Sequence, residues 1–367
     1  MKRGKILQAL AASDLDALVA VSPENTYYSC DVPILTQKMI RDRLAMVVWT
    51  RSAEPALILC TIEDAQARAE SSIKDIRGYV EFQTSPVQLL VDVLNERQLG
   101  RGRIGIEKRF LSTHYWEELN TLLPQATFVG CDRLFDKVRM VKTPEEITRL
   151  GDAAQATDRA IRKAFESARL GHTERETAEL MGDELRKGGA ESVAFVILAT
   201  GPNAAMAHPV PGGTKMQPGQ VLRTDFGGYF KWYYSDLART AICGKPTAEQ
   251  RDTYAKLYEV QADVIEAMRP GTRACDLYHL CQRRFEEVGL VFRMPHIGHS
   301  IGIDIHEYPM LNPQTTEALQ PNMMFAVEPV HRGVEGLYHI EDLVLVTEKG
   351  PKIVSRSANW EPLLTVQ

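Results

Sequence analysis

At 367 residues, with 44% hydrophobic and 25% charged residues, the chain has the make-up of a soluble globular protein of about two domains. A formal net charge of −5, without any basic run interleaved with aromatics, argues against a nucleic-acid partner, and no apolar stretch approaches the roughly 20 residues that span a bilayer. The six cysteines (Cys30, Cys60, Cys131, Cys243, Cys275 and Cys281) show no paired spacing and read as reduced thiols of a cytoplasmic protein.

The chain opens with a basic segment whose apolar run is interrupted by Asp14 and Asp16, which suits an amphipathic helix better than a signal peptide. Helical stretches are predicted at Lys2 to Ser13, Thr61 to Ser71, Pro86 to Leu99 and Leu111 to Leu123. Short apolar runs alternate with them at Ala17 to Val21, Ala45 to Trp49, Ala56 to Leu59 and Ile104 to Glu107. Residues 1–135 therefore read as a smaller α/β domain. Its glycines lack the spacing of a nucleotide-binding loop.

A second domain is expected over residues 136–367. Thr143, Pro144 and Glu146 make a capping box with proline at the first helical position, opening a long helix. A second helix follows over Thr173 to Gly188, then a strand near Ser192 to Ala199 and a hairpin from Val221 to Cys243. Two more helices, Thr247 to Met268 and Ala274 to Val288, precede the last strands. The order implies an α+β fold in which helices cover a curved antiparallel sheet.

Chemistry concentrates in this second domain. In the hairpin, a turn centred on Phe230 and Lys231 would set Asp225 directly opposite Asp236, about 5 Å apart at Cβ. Two aspartates in a hairpin are commonly just solvated surface. His299, however, is framed by Gly298 and Gly302, and His306 follows seven residues later. Glu328 and Glu341 sit against apolar strands, where an unpartnered carboxylate is rare. Four carboxylates gathered in one place would repel by roughly 4 kcal/mol per close pair even at a generous effective dielectric. Two divalent cations would cancel them.

The stretches Gly201 to Pro209 (GPNAAMAHP), Asp225 to Thr240 (DFGGYFKWYYSDLART), Gly298 to Glu307 (GHSIGIDIHE), Val327 to Pro329 and Ile340 to Glu348 (IEDLVLVTE) resemble, in order, those of the pita-bread metallopeptidases. That group includes prolidase, aminopeptidase P and the creatinase-type hydrolases. The first domain, through Ser22 to Tyr28 and the VRMVKTPEEI junction, is similar to the creatinase-type N-terminal domain. The resemblance implies that Asp225, Asp236, His299, Glu328 and Glu341 bind two divalent metals, Asp236 and Glu341 bridging both. Mn²⁺ is the expected ion, with Co²⁺, Zn²⁺ and Fe²⁺ compatible with the donors. It further implies a metal-bridging hydroxide as nucleophile, Glu328 as proton carrier, and His208 and His306 at the tetrahedral intermediate or leaving nitrogen. An Xaa-Pro dipeptidase or aminopeptidase acting on small peptides, assembled as a homodimer, is the activity expected.

Two departures bear on substrate. His339 stands where these enzymes usually carry arginine, two residues before the last bridging glutamate. Pro295 replaces a histidine four residues before the metal-binding one, with His296 one residue out of register. His339 and His296 are therefore assigned to substrate binding. The departures keep open a creatinase-like or ectoine-hydrolase-like enzyme acting on a small non-peptide amide or amidine. A catalytically inactive binding module on the same fold is the remaining alternative.

Overall fold

A computed structural model describes residues 2–356 and 363–367. The chain divides into two compact units, Met1–Val138 and Arg139–Gln367. The first unit is built on six strands: β1 (Ala17–Ala20), β2 (Met46–Thr50), β3 (Ala56–Cys60), β4 (Asp75–Tyr79), β5 (Arg103–Ile106) and β6 (Thr127–Gly130). Their spatial order is β4-β3-β2-β1-β5-β6. The central β1, β2 and β3 are buried at every residue, which is why they stand out as continuous apolar runs. The edge strands β4 and β6 carry partly exposed residues, and the charged Asp75 and Arg77 pair with each other on β4. Neither edge has the apolar signature on which a sequence reading depends. A helix at Pro23–Cys30, capped by Ser22, was likewise not predicted.

In the second unit, helices Pro144–Ser167 and Glu174–Lys187 both begin with complete capping boxes, from Thr143 to Glu146 and from Thr173 to Glu176. Helices Ala248–Glu266 and Ala274–Glu287 follow. The first strands are β7 (Ser192–Thr200), β8 (Val221–Phe230), β9 (Tyr233–Tyr234) and β10 (Leu237–Cys243). After the last helix come β11 (Gly298–Ser300), β12 (Glu307–Met310), β13 (Met324–Val327), β14 (Val330–Gly333), β15 (Gly336–His339), β16 (Asp342–Thr347), β17 (Gly350–Ile353) and β18 (Leu364–Val366). These strands form a β18-β10-β8-β7 sheet with β9 beside β8, a β12-β11-β13-β16-β17 sheet, and a β14-β15 ribbon. Every pairing is antiparallel except β10 with β18. Hydrogen bonds join the pieces: Glu341 N donates to Ala238 O at 3.1 Å, and His339 N donates to the side chain of Thr240 at Oγ1, 2.9 Å away.

The hairpin register differs from the expected one. Tyr229 pairs with Tyr234, Phe230 with Tyr233, and Asp225 with Ala238 rather than with Asp236. The turn is centred on Lys231 and Trp232, whose φ values of 51° and 69° place both in the left-handed region that two-residue hairpin turns of this hand require. No Asn-Gly pair signals it. The displacement is two residues, so side-chain parity is kept and both aspartates remain on one face.

One buried guanidinium braces this unit. Arg239 of β10 is fully buried; it donates to Asp158 of helix Pro144–Ser167 at 2.7 Å, to Asp342 of β16 at 3.1 Å, and to the carbonyl oxygens of Ala238 and Glu341. Asp342 also accepts from Ser355 and Arg356. A buried charge left half-paired is strongly destabilising. Asp158→Ala is expected to destabilise this unit by about 3–5 kcal/mol, read as a lowered denaturation midpoint in guanidinium chloride.

Candidate metal centre

The strands deliver the candidate ligands to one place. Asp225 lies within β8, Asp236 just before β10, His299 at the centre of β11, Glu328 immediately after β13, and Glu341 between β15 and β16. Gly298 permits this packing, because a Cβ there would lie 2.2 Å from the carbonyl oxygen of Ala326 on β13. Glu328 N then bonds Ile297 O at 2.9 Å, which brings the glutamate beside the histidine. His299 Nε2 lies 3.5 Å from Glu328 Oε1, 3.6 Å from Asp236 Oδ2 and 4.0 Å from Glu341 Oε1.

Two overlapping groups have ligand atoms within 4.8 Å of one another: Asp236, His299 and Glu341, and Glu328, His339 and Glu341. Asp225 belongs to neither group, but it stands close enough to Asp236 for each to alter the other's proton affinity. His339, assigned from sequence to substrate binding, places Nε2 3.5 Å from Glu328 Oε2 and so is also a candidate ligand. His296 Nδ1 lies 3.4 Å from Glu328 Oε1, so the out-of-register histidine does reach the cluster. The His306 ring lies 4.0 Å from that of His299, centroid to centroid. His208 lines a cleft of about 380 Å³ together with Asp225, His296, Glu328 and His339; His306 is not among its walls.

Burial and mutual repulsion dominate the electrostatics. Asp236 is held well above the ordinary carboxyl range by burial, then by Asp225 and Glu328; Glu341 is raised by burial, then by Asp236. Burial, followed by the charge of Asp225, pushes Glu328 up to about 8. His299 is lowered to about 3 by burial and by neighbouring His306. Burial likewise lowers His339, His296 and His306.

These residues fit divalent cations. Asp236 Oδ1, Glu328 Oε1 and Glu341 Oε1 are buried without a hydrogen-bond partner among the described residues, and so are both ring nitrogens of His339. His299 Nδ1 faces the carbonyl of Ser300 at 3.1 Å. With the proton on Nδ1, the Nε2 lone pair faces carboxylate oxygens, an arrangement that is repulsive unless a cation lies between them. Oxygen donors with one or two imidazoles suit Mn²⁺, Fe²⁺, Co²⁺ or Zn²⁺.

Arg223 escaped the sequence reading. It lies two residues before Asp225, and the period of two along a strand puts both side chains on the same face; a charged residue inside the apolar run VLRTDF was the available signal.

Strands gathered around an acidic, histidine-containing cluster and preceded by a separate α/β unit define a two-domain metallohydrolase architecture. Residues 148–348 match metallopeptidase family M24, and residues 2–141 match the creatinase/prolidase N-terminal domain. The chain belongs to family M24, a family of metal-dependent hydrolases. It is 28% identical over 357 residues to an Xaa-Pro dipeptidase of Pyrococcus furiosus, covering 96% of this chain and 97% of the relative. It is 30% identical over 317 residues to an Xaa-Pro dipeptidase of Lactobacillus helveticus, covering 85% and 86%. The solved structure of an Xaa-Pro dipeptidase from Bacillus anthracis shares the fold, with a TM-score of 0.88 at 24% identity over 99% of this chain and 100% of that one.

The cluster has a consequence for stability. A carboxyl whose pKa is raised on folding keeps its proton in the folded state while the unfolded chain has released it, so stability falls as pH rises from the unfolded to the folded pKa. For Glu328 that window runs from 4.5 to about 8. His299 acts oppositely: its stabilisation is present above 6.5 and is lost as pH falls toward about 3. Between pH 6.5 and 8 the carboxylates act alone. The melting temperature of chelated protein is expected to fall across that interval, and saturating Mn²⁺ to raise it and flatten the profile; a flat profile without cation would contradict this reading of the cluster.

Proposed function

We propose that this chain is an Xaa-Pro dipeptidase that cleaves the amide bond before proline in small peptides. In this reading two divalent cations, Mn²⁺ first among them, are held by Asp225, Asp236, His299, Glu328 and Glu341. The observation that carries it is the gathering of Asp236, Glu328 and Glu341, each with an orphaned oxygen, around His299, with Asp225 and Glu328 opening onto the cleft. The dipeptidases of P. furiosus and L. helveticus, similar along most of the chain, support the substrate class.

Bound there, the cations would polarise the scissile carbonyl and acidify water. The protein's own groups then handle protons and orientation. Glu328, at the cleft wall and 3.5 Å from His299, takes a proton from the attacking water and returns it to the amide nitrogen. His296, with Nδ1 3.4 Å from Glu328 Oε1, stands at the cleft wall to contact the substrate beside that carboxylate. His208 at the cleft wall stabilises the developing negative charge on the carbonyl oxygen, and His306, beside His299, supports the same tetrahedral intermediate. A cytoplasmic homodimer belongs to the same proposal; among the described residues no helix is long and apolar enough to cross a membrane.

A second reading keeps the chemistry and changes the substrate to a small non-peptide amide or amidine. His339 favours it, because a buried imidazole replaces the arginine expected beside the last ligand. The test is hydrolysis of an Xaa-Pro dipeptide panel by chelated and Mn²⁺-reloaded protein, with a panel of small amides alongside. Reloading should restore cleavage of the peptides, and Glu328→Gln should lower kcat by at least about a hundredfold. Turnover of a non-peptide amide, with none of the dipeptides, would transfer the conclusion to the second reading.

A further inference from the structure

We propose that Arg223 is the carboxylate-recognition residue of this cleft and gives it a preference for substrates that end in a free acid. The inference rests on the hydrolase reading of the same site.

The guanidinium is buried, with the side chain 4% exposed, and it forms part of the cleft wall beside Asp225. Its Nη1 donates to the carbonyl oxygens of Met206 at 3.1 Å and Ala207 at 2.7 Å, on the segment that leads into His208. Those two bonds use one of its three nitrogens. Nη2 stands 3.7 Å from Asp225 Oδ2, beyond hydrogen-bond range, and buried Nε has no partner among the described residues. The Nε–Nη2 edge is thus left without an acceptor. That edge presents two parallel N–H groups, the geometry that grips a carboxylate at both oxygens.

Charge balance points the same way. Two divalent cations would cancel the charges of Asp225, Asp236, Glu328 and Glu341. What remains on the cleft wall is the permanent charge of Arg223, with Arg293 and Arg332 beside it. A loaded cleft is then net positive, and a small acid bound in it neutralises a guanidinium that is already desolvated. His339 cannot supply this charge, because imidazole has neither a fixed charge at neutral pH nor a planar fork of donors. Of the three arginines, Arg223 is the buried one and is anchored to the segment carrying His208. The anchoring fixes its orientation before ligand arrives, so little side-chain entropy is lost on binding.

Arg223 could instead serve only to clamp the loop, and the two roles separate by experiment. The probes are N-acetylproline and its C-terminal amide, with N-acetylglycine and its amide as a second pair. Each is titrated calorimetrically into Mn²⁺-loaded wild type, R223Q and R223K. Wild type should bind each acid at least about tenfold more tightly than its amide, as expected when a buried charged contact is lost. The preference should shrink to within about twofold in R223Q and be partly retained in R223K, which keeps the charge without the fork. A loop clamp alone would weaken acid and amide equally. An undiminished acid preference in R223Q, or none in wild type, would overturn the proposal. Xaa-Pro turnover is measured on the same preparations: acid preference without turnover rejects the dipeptidase reading alone, and turnover without acid preference rejects the Arg223 assignment alone.

Discussion

The second unit is organised around a repulsion. Asp236, Glu328 and Glu341 converge on His299, with Asp225 beside Asp236 and few internal donors to satisfy the four, and the fold spends packing energy to keep them there. Asp236 and Glu341 are almost wholly buried, while Asp225 and Glu328 keep 16% exposure toward the cleft. Such an arrangement is unfavourable for a protein on its own and favourable for one that binds cations, because the binding energy of the cations offsets the cost of holding the acids together. The raised proton affinities of Asp236, Glu328 and Glu341 express the same strain in another form.

Arg239 shows how the scaffold resists that strain. Its partners Asp158 and Asp342 are carboxylates as buried as those of the cluster, yet here a guanidinium satisfies them. The bond from Arg239 to the Glu341 carbonyl leaves the Glu341 side chain free for the cluster. A second ion-paired group serves His306. Glu307 accepts from Lys142 at 2.6 Å and from the backbone of Ile303 and Asp304, which pins the loop that precedes the histidine. Paired charges thus sit behind the unpaired ones, and the contrast between the two sets is what marks the functional face.

Much of this was legible in the residues. The capping boxes at Thr143 and Thr173 form from groups three positions apart, so they depend on nothing distant. The central strands β1, β2 and β3 declared themselves by unbroken apolar runs, whereas β4 and β6, partly exposed at the sheet edges, did not. The hairpin turn was misplaced by one residue, and the pairing by two, because Lys231 and Trp232 adopt left-handed backbone without the Asn or Gly that usually announces it. The error left both aspartates on one face, since strand geometry repeats every two residues.

The sequence by itself determined the class of chemistry: acids and histidines embedded in apolar strands must meet a cation, and their order along the chain carries the family resemblance. Tertiary structure alone decided which groups touch. Arg239 finds Asp158 across 81 residues and the Glu341 carbonyl across 102. His339 turns toward Glu328, and Arg223 comes to line the same cleft as Arg293 and Arg332, contacts that no local spacing encodes. The physical reason is that propensity and periodicity act over a few residues, while desolvated charges are settled by whichever partner the folded sheets bring within hydrogen-bond reach.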